Sequence, residues 1–402
     1  MRQRSSLGVL FLVVFVDLLG FGMVIPIMPR YAEALGAPTA WIGLLLTGYS
    51  AMQFVFAPLW GRLSDRVGRR PVLLASIALT AVGFLGYALA PSFGWLLASR
   101  LFAGAATANL AIARAYVADV TTPETRARGM GVIGASFGLG FILGPAIAGP
   151  LSSISIAAPG YAAAGLSVLN LVAAAVILPE PASHARAPAG RRAGVLASDL
   201  RRPGIRRVLL TSLLSILAFS GLEATFSLLA FDRFHLDQRH VGYVFAYIGV
   251  LAVVIQGGLI GPLTRRFGEA RLLVAGLALQ AGTFLLLPAA GSTGALLAVL
   301  APMSFGSGLT QPSLSAMLSR MARADDQGGT LGVGESASAL GRILGPETAT
   351  FGYAHVAAGF PYWLGGALMA VATGLAATLV GVRLGAEAAP APAPAPAAAR
   401  EG

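Results

Sequence analysis

The few residues of this chain whose types could do chemistry sit mostly where water should not be. Asp17 lies about ten residues into an apolar run from Leu7 to Met28. Arg100 is seven residues into another, Glu223 interrupts a third, and Glu335, Arg342 and Glu347 share a fourth. An ionisable group inside a long apolar segment is expensive and marks a functional site by default. Low dielectric penalises the charged form of a carboxyl, which suits Asp17 to exchange a proton near neutral pH. Glu223 is a second candidate for proton or cation binding. Arg100, set beside a carboxylate, could couple proton release to movement. The bland alternatives are an Asp17 tied to an arginine or a backbone group, and an Arg100 whose head snorkels to an interface. Gln53, Asn109, Gln311 and Glu335 could line a substrate cavity, and each could equally serve as an interhelical hydrogen bond. Gln256 belongs with them, Glu335 and Arg342 share one helical face, and Tyr49, Phe54, Phe226 and Tyr247 could add ring faces.

Other chemistries lack their residues. Cysteine is absent, which removes thiolate catalysis, disulfides and Cys-based metal sites. The four histidines, His184, His235, His240 and His355, show no ligand spacing, so no metal is expected. The G-x-x-x-x-G-K-[ST] pattern is missing, so ATP is not the direct energy source. No nucleophile–base pair is visible, and neither an enzyme nor a cofactor is expected.

The elements that must hold these residues are helices in lipid. The chain has 402 residues, 56% apolar and only 11% charged, with a mean hydropathy of +0.76. A soluble domain carries about 25% charged residues. Spanning a bilayer takes about 20 mostly apolar residues. Twelve such segments are expected, at 7–29, 41–60, 72–90, 93–118, 130–150 and 161–178, then 207–230, 241–260, 271–288, 294–318, 328–350 and 361–382. The first is too long for the roughly 7–15 apolar residues of a signal peptide, and is read as an uncleaved helix. The fold class is therefore an all-α polytopic membrane protein. Residues 1–178 form one six-helix bundle, 179–206 a polar cytoplasmic linker, 207–385 a second bundle and 386–402 a disordered Ala/Pro tail.

The net charge of +11 invites a nucleic-acid reading, but placement excludes it. All 28 basic residues are arginines, and 22 fall in segments on one side if the N-terminus is cytoplasmic. Only Arg30, Arg233 and Arg239 fall on the other side, while Arg100, Arg114 and Arg342 lie within helices. That bias orients the chain, with both termini cytoplasmic.

The densest charge is Gly61-Arg62-Leu63-Ser64-Asp65-Arg66-Val67-Gly68-Arg69-Arg70-Pro71, read as a water-facing loop between helices 2 and 3. Asp65 could pair with a nearby arginine or sit at a helix N-terminus, where the dipole favours an anion. Such a loop could latch the two halves together in one state. A near-copy, Gly261-Pro262-Leu263-Thr264-Arg265-Arg266-Phe267-Gly268, follows at an offset of 200, with Arg265 in place of the acid. Ile142-Leu143-Gly144-Pro145 returns as Ile343-Leu344-Gly345-Pro346 at an offset of 201. Two marks at one offset point to duplicated halves, an arrangement that places a substrate site between them near the midplane. In helix 5, Gly140, Gly144, Pro145 and Gly149 supply smooth faces and a bend. They are read as close helix packing or as a seal between the halves against proton leak.

These stretches carry a resemblance. Gly61, Asp65, Arg66, Gly68, Arg69 and Arg70 match the loop 2–3 signature of the major facilitator superfamily, and Leu96, Arg100 and Gly104 resemble its helix 4 signature, with Ala103 where glutamine is frequent. Gly140, Gly144, Pro145, Ala148 and Gly149 resemble its helix 5 antiporter signature, with Ala148 in place of a glycine. Asp17-Leu18-Leu19-Gly20 matches the helix 1 acid of drug–proton antiporters. Ala115 to Asp119 with Arg126 to Gly129 is similar to the 4–5 loop of tetracycline-efflux proteins. The resemblance implies a pseudo-two-fold pair of six-helix bundles in the inner (plasma) membrane, acting as a monomer. It further implies proton-driven export of an amphipathic drug, possibly tetracycline-like, by alternating access, with a small molecule, protons and the bilayer as partners. Export of a sugar or amino-acid derivative stays open, as does a non-transporting scaffold.

Overall fold

The computed structural model describes residues 2–107, 109–121, 133, 136, 139–140, 143–180, 200–322 and 327–380. Regular structure among them is helical throughout, as lipid requires when no water is present to satisfy backbone groups. The first half holds α1 (Arg2–Val24), α2 (Met28–Ala34), α3 (Thr39–Val67), α4 (Arg69–Ala88), α5 (Phe93–Ala106), α6 (Asn109–Val120), α7 (143–152) and α8 (Ala158–Ile177). The second holds α9 (Pro203–Phe234), α10 (Gln238–Val254), a π-helical turn (Ile255–Leu259), α11 (Ile260–Phe267), α12 (Glu269–Leu286), α13 (Thr293–Met321), α14 (Gln327–His355) and α15 (Phe360–Ala377). Among the described residues, eight helical stretches are long and apolar enough to cross a membrane, or nine if α1 and α2, bent by 44°, form one span. The other three expected segments correspond to α7, the α10–α11 run and α14. The 29 residues of α14 are interrupted by glycines, Glu335 and Arg342.

Several boundaries differ from expectation for physical reasons. The stretch Gly61 to Val67 is the last two turns of α3, not a loop, and Gly68 alone separates α3 from α4. Gly68 has φ +117°, a conformation that L side chains rarely adopt, and Gly268 repeats it at φ +77° between α11 and α12. A helix can run on into its charged residues because their long side chains reach water from a buried backbone. The expected helix 4 is two helices, broken after Ala106, where Thr107 is extended (φ −85°, ψ 106°). Pro203 stands in the first turn of α9, where its missing N–H is harmless, so this helix begins four residues before the segment expected at 207–230. Most of the 179–206 linker, Arg126 to Gly129, Gly131, Gly134, Gly138 and the 386–402 tail lie outside the described residues.

The halves are built by the same joint. Glycines of α7 pack on α1, where a Cβ on Gly144 would meet the Gly22 backbone at 2.7 Å. Glycines of α14 pack likewise on α9, where a Cβ on Gly345 would fall on the Leu217 carbonyl and Ser220. Between the halves α3 lies against α14, with the Thr47 hydroxyl donating to the Ile343 carbonyl at 2.7 Å. At one end of the bundle the halves interlock further. Ser227 donates to the Pro26 carbonyl at 2.8 Å, and the Arg30 guanidinium stacks 3.6 Å from the Phe231 ring centroid. At that end Asp237 caps α10, and the His240 backbone N–H holds its carboxyl below the usual carboxylate range.

The topology is directly checkable because the chain has no cysteine of its own. Exposed Arg66 and Arg233 lie at opposite ends of the bundle. With the N-terminus cytoplasmic, a membrane-impermeant maleimide on intact cells should label Arg233→Cys, and label Arg66→Cys only after the membrane is opened. The reverse pattern would invert the orientation.

Candidate functional site

The break between α5 and α6 frees carbonyls at the end of α5, and side chains from neighbouring helices take them up. Trp60 Nε1 donates to the Ala105 carbonyl at 2.7 Å and Ser76 Oγ to the Ala106 carbonyl at 2.9 Å. With those groups satisfied, α6 restarts at Asn109, directly across from α1. Asn109 Nδ2 donates to Asp17 Oδ1 at 2.6 Å and lies 3.3 Å from Thr80 Oγ1, which is itself 3.3 Å from the Thr107 hydroxyl. Asp17 is 8% exposed and Asn109 1%. Among the described residues Asp17 is thus tied to an amide of another helix, neither to an arginine nor to a backbone group.

Arg100 on α5 is 1% exposed, which rules out snorkelling. Its Nη2 reaches the Gly83 carbonyl at 3.3 Å, and its guanidinium stands 4.8 Å from the Tyr87 ring and 5.7 Å from the Phe84 ring. Asp17 and Arg100 line one space together with Phe21, Tyr49, Thr80, Phe84, Ala103 and Thr107. That space admits the centre of a water-sized sphere over only about 10 Å³, so it is closed to anything larger than about one water in this conformation. Of the four residues expected in a substrate cavity, Asn109 alone joins this site, as the partner of Asp17. Gln53 is half-buried on α3, and Gln311 is exposed on α13.

Glu335 works elsewhere, at the seam between halves. Its carboxylate pairs with Arg114 of α6 at 3.0 Å and lies 3.9 Å from Arg342 on its own helix. Glu223 is half-buried on α9, where the opposite charge acting on it is that of Arg342. The two expected proton sites therefore sit in different halves with different company. Glu347 lies on α14 where that helix meets α3, since a Cβ on Gly43 would fall 2.8 Å from the Glu347 Cα.

The charged stretch forms a network inside the first half. Asp65 pairs with Arg69 Nη1 at 2.6 Å, and Arg69 Nε pairs with Asp119 Oδ2 of α6 at 2.7 Å, both buried partners in the second contact. The anion at the N-terminus of α4 is Glu180, which accepts from the Arg69 and Arg70 backbone N–H groups at 2.7 and 2.9 Å. Arg70 also donates to the Ala175 carbonyl, and Arg66 is exposed. The described partners of Arg69 and Arg70 are Ser64, Asp65, Asp119, Ala175 and Glu180, so in this conformation the network ties α3, α4, α6 and α8 together and to the linker at Glu180. Its counterpart in the second half is Glu269 with Arg320 at 2.8 Å, the same joint with polarity reversed. Sequence reasoning missed Glu180, Asp119 and the Glu269–Arg320 pair. The signal was present: Arg69 and Glu269 are 200 apart and Asp119 and Arg320 are 201 apart, the offsets of the other repeats.

Among the helix 5 glycines, Gly140 and Gly144 seal α7 against α1 in the same half, where Leu18 and Gly22 leave no room for a Cβ. Gly149 is the one of the described glycines there that faces the other half. A Cβ there would lie 2.9 Å from the Arg239 carbonyl, and one on Gly242 would lie 2.7 Å from the Pro145 carbonyl. Among the described residues of the helix 5 signature, Pro145 and Gly149 are the ones these contacts place against the second half.

Comparison with known proteins places this geometry in context. A family model of the Major Facilitator Superfamily matches residues 10–346. The chain is 35% identical over 381 residues to the class C tetracycline resistance protein of Escherichia coli, covering 92% of this chain and 96% of that one. It is 28% identical over 385 residues to Multidrug resistance protein 2 of Bacillus subtilis (strain 168), covering 93% and 95%. The crystal structure of the human organic anion transporter MFSD10 (TETRAN) superposes with a TM-score of 0.73 at 28% identity, over 94% of this chain and 100% of that one.

The reversed pair supplies a test. Removing one partner of a buried pair typically costs about 3–5 kcal/mol. Arg69→Glu and Asp119→Arg should each lower the melting temperature in detergent, and the double exchange made together with Asp65→Arg, which copies Arg265, Glu269 and Arg320, should recover more than half of the loss. A combined variant no more stable than the worse single one would mean the pair is not a unit.

Proposed function

The chain belongs to the major facilitator superfamily, and from that membership we propose that it exports an amphipathic drug-like molecule in exchange for protons. It is a multi-pass membrane transporter and not an enzyme. The reading that goes further rests chiefly on Asp17: a carboxyl buried in the first half, held by one amide, beside a ring-lined space. Charge is unfavourable there unless compensated, and one neutral amide is little compensation, so Asp17 keeps its proton until a cationic or further polar group faces it. Substrate binding from the cytoplasm supplies that compensation and releases the proton. The empty carrier, reopened to the outside, takes a proton again. The contacts that close one end, Ser227 with Pro26, Thr47 with Ile343 and Arg30 on Phe231, belong to one of the two alternating states.

In this account Glu223 and the Glu335–Arg114 pair shape the path between the halves, Arg100 sets the charge balance around Asp17, and the Arg69 network keeps the first half rigid. The carrier works as a monomer of two bundles, 1–178 and 207–385, in the inner (plasma) membrane with both termini cytoplasmic. A second reading, export of an endogenous organic acid or amino-acid derivative, draws on the structural likeness to a human organic anion transporter.

The test is a substrate panel in an efflux-deficient host, with Asp17→Asn beside the wild type. The wild type should lower cellular accumulation of at least one amphipathic drug, and inverted vesicles should concentrate it only while a pH gradient is imposed. Asp17→Asn should lose concentrative transport and its response to the gradient. A variant that moves substrate at the wild-type rate and still answers to pH would remove Asp17 from coupling.

A further inference from the structure

Three contacts in a row join α3 to α14 across the halves, and one acid lies in the middle of them. The Thr47 hydroxyl donates to the Ile343 carbonyl at 2.7 Å, Gly43 lets the two backbones touch, and Thr350 Oγ1 lies 3.4 Å from the Ala40 carbonyl. At the middle contact a Cβ on Gly43 would fall 2.8 Å from the Glu347 Cα. Glu347 is half-buried, and its Oε2 is buried with no donor among the described residues. Leu344 and Phe351, a turn to either side, are exposed, as side chains facing lipid are. The first half has no such acid: at the offset of 201, Gly144-Pro145-Ala146 stands where the second has Gly345-Pro346-Glu347. The groups around Glu347 are engaged elsewhere. On α14, Arg342 lies toward Glu335 and Glu223, Tyr353 donates to Asp232 of α9, and the His355 ring stacks on Phe351. From α2, Arg30 and Glu33 pair with each other. The titratable groups that α3 and α15 bring to this part of the seam are the phenols Tyr49 and Tyr362, and Arg320 of α13 sits at the opposite end.

We propose that Glu347 is a further proton-binding site, loaded where α3 and α14 part, and that its protonation lets these helices close the seam between the halves. An ionised carboxylate with a buried, unpaired oxygen is penalised far more than a neutral carboxyl. In the closed seam Glu347 therefore carries its proton. When α3 and α14 separate, water reaches the carboxylate and it ionises. The closed form then holds one proton more than the open form, so it gains as pH falls and loses as pH rises. The seam lies toward the end that carries Arg30 and Phe231, which is external when the N-terminus is cytoplasmic. A proton that enters and leaves by that side is not the one exchanged for substrate. It sets how readily the carrier shuts to the outside. The inference depends neither on Asp17 nor on any exported compound.

The test places one spin label on each side of the seam. Ala34→Cys at the end of α2 and Val356→Cys just beyond α14 are exposed positions in a chain with no cysteine of its own. Distances between the labels are measured by pulsed electron resonance on the purified full chain in detergent, between about pH 8 and about pH 5, where a carboxyl displaced from its ordinary range titrates. With Glu347 intact, the ratio of short to long distances should rise by up to about tenfold for each pH unit lowered, the limit for one proton. Glu347→Gln, neutral at every pH, should hold one ratio throughout, and Glu347→Asp should restore a shift. The shift should persist in Asp17→Asn and in Glu223→Gln. The same distances at both pH values with Glu347 intact would overturn the proposal, and this arm needs no further variant to fold. A shift that survives Glu347→Gln, or that vanishes in Asp17→Asn or Glu223→Gln, would assign the proton to another group and overturn it as well. None of these outcomes bears on whether the chain exports a drug, so the exporter reading stands or falls separately.

Discussion

A carboxyl buried in a lipid-embedded bundle must be given a donor from its own protein, and much of the first half is arranged around that need. The donor is Asn109, and it reaches Asp17 because the helix before it stops at Ala106 and restarts. Stopping a helix in lipid strands its last carbonyls, so Trp60 and Ser76 must point inward to take them. Thr80 and Thr107 extend the polar chain from the other side. Gly22 and Gly144 let α1 and α7 touch backbone to backbone, which closes the wall behind Asp17. Small residues at such joints let packing rather than hydrophobicity hold helices together in lipid.

The second half shows what the duplicated scaffold does without that acid. The glycine joint recurs between α14 and α9, and Gln280 donates to Thr310 at 2.8 Å, in the place that the Thr80 cluster holds in the first half. There the network is neutral and self-contained. The ion pair at the helix ends recurs with its charges exchanged, so its geometry is retained while its polarity is not. Either sign closes the same joint between helix ends. What separates the halves is where their ionisable groups lie: Asp17 and Arg100 are buried in the first, while Glu223 and Arg342 are only half-buried in the second.

Much of the fold was legible in the sequence because lipid imposes one rule on every segment, and apolar length reports it directly. Asp17 stood out by the same rule, as a charge where none is cheap. The break at Thr107 was not legible, since the apolar pattern runs through it and the freed carbonyls are satisfied by residues far away in sequence. In sequence Asn109 is one polar residue among several within helices, because nothing local ties it to Asp17, 92 positions earlier. The charged stretch looks like a loop in sequence and is helix in the fold, since charge is a poor guide to backbone conformation when arginine stems can cover a helix. Its meaning lay in Asp119 and Glu180, which only the folded chain brings to Arg69.

The claim on which the account turns is that Asp17 gives up a proton when substrate binds. The direct measurement is proton release from purified protein in weakly buffered detergent, as a drug found to be exported is added at fixed pH. The account predicts about one proton released per substrate bound by the wild type, and none by Asp17→Asn at saturating ligand. Equal release from both proteins, or binding by the wild type with no release, would contradict it.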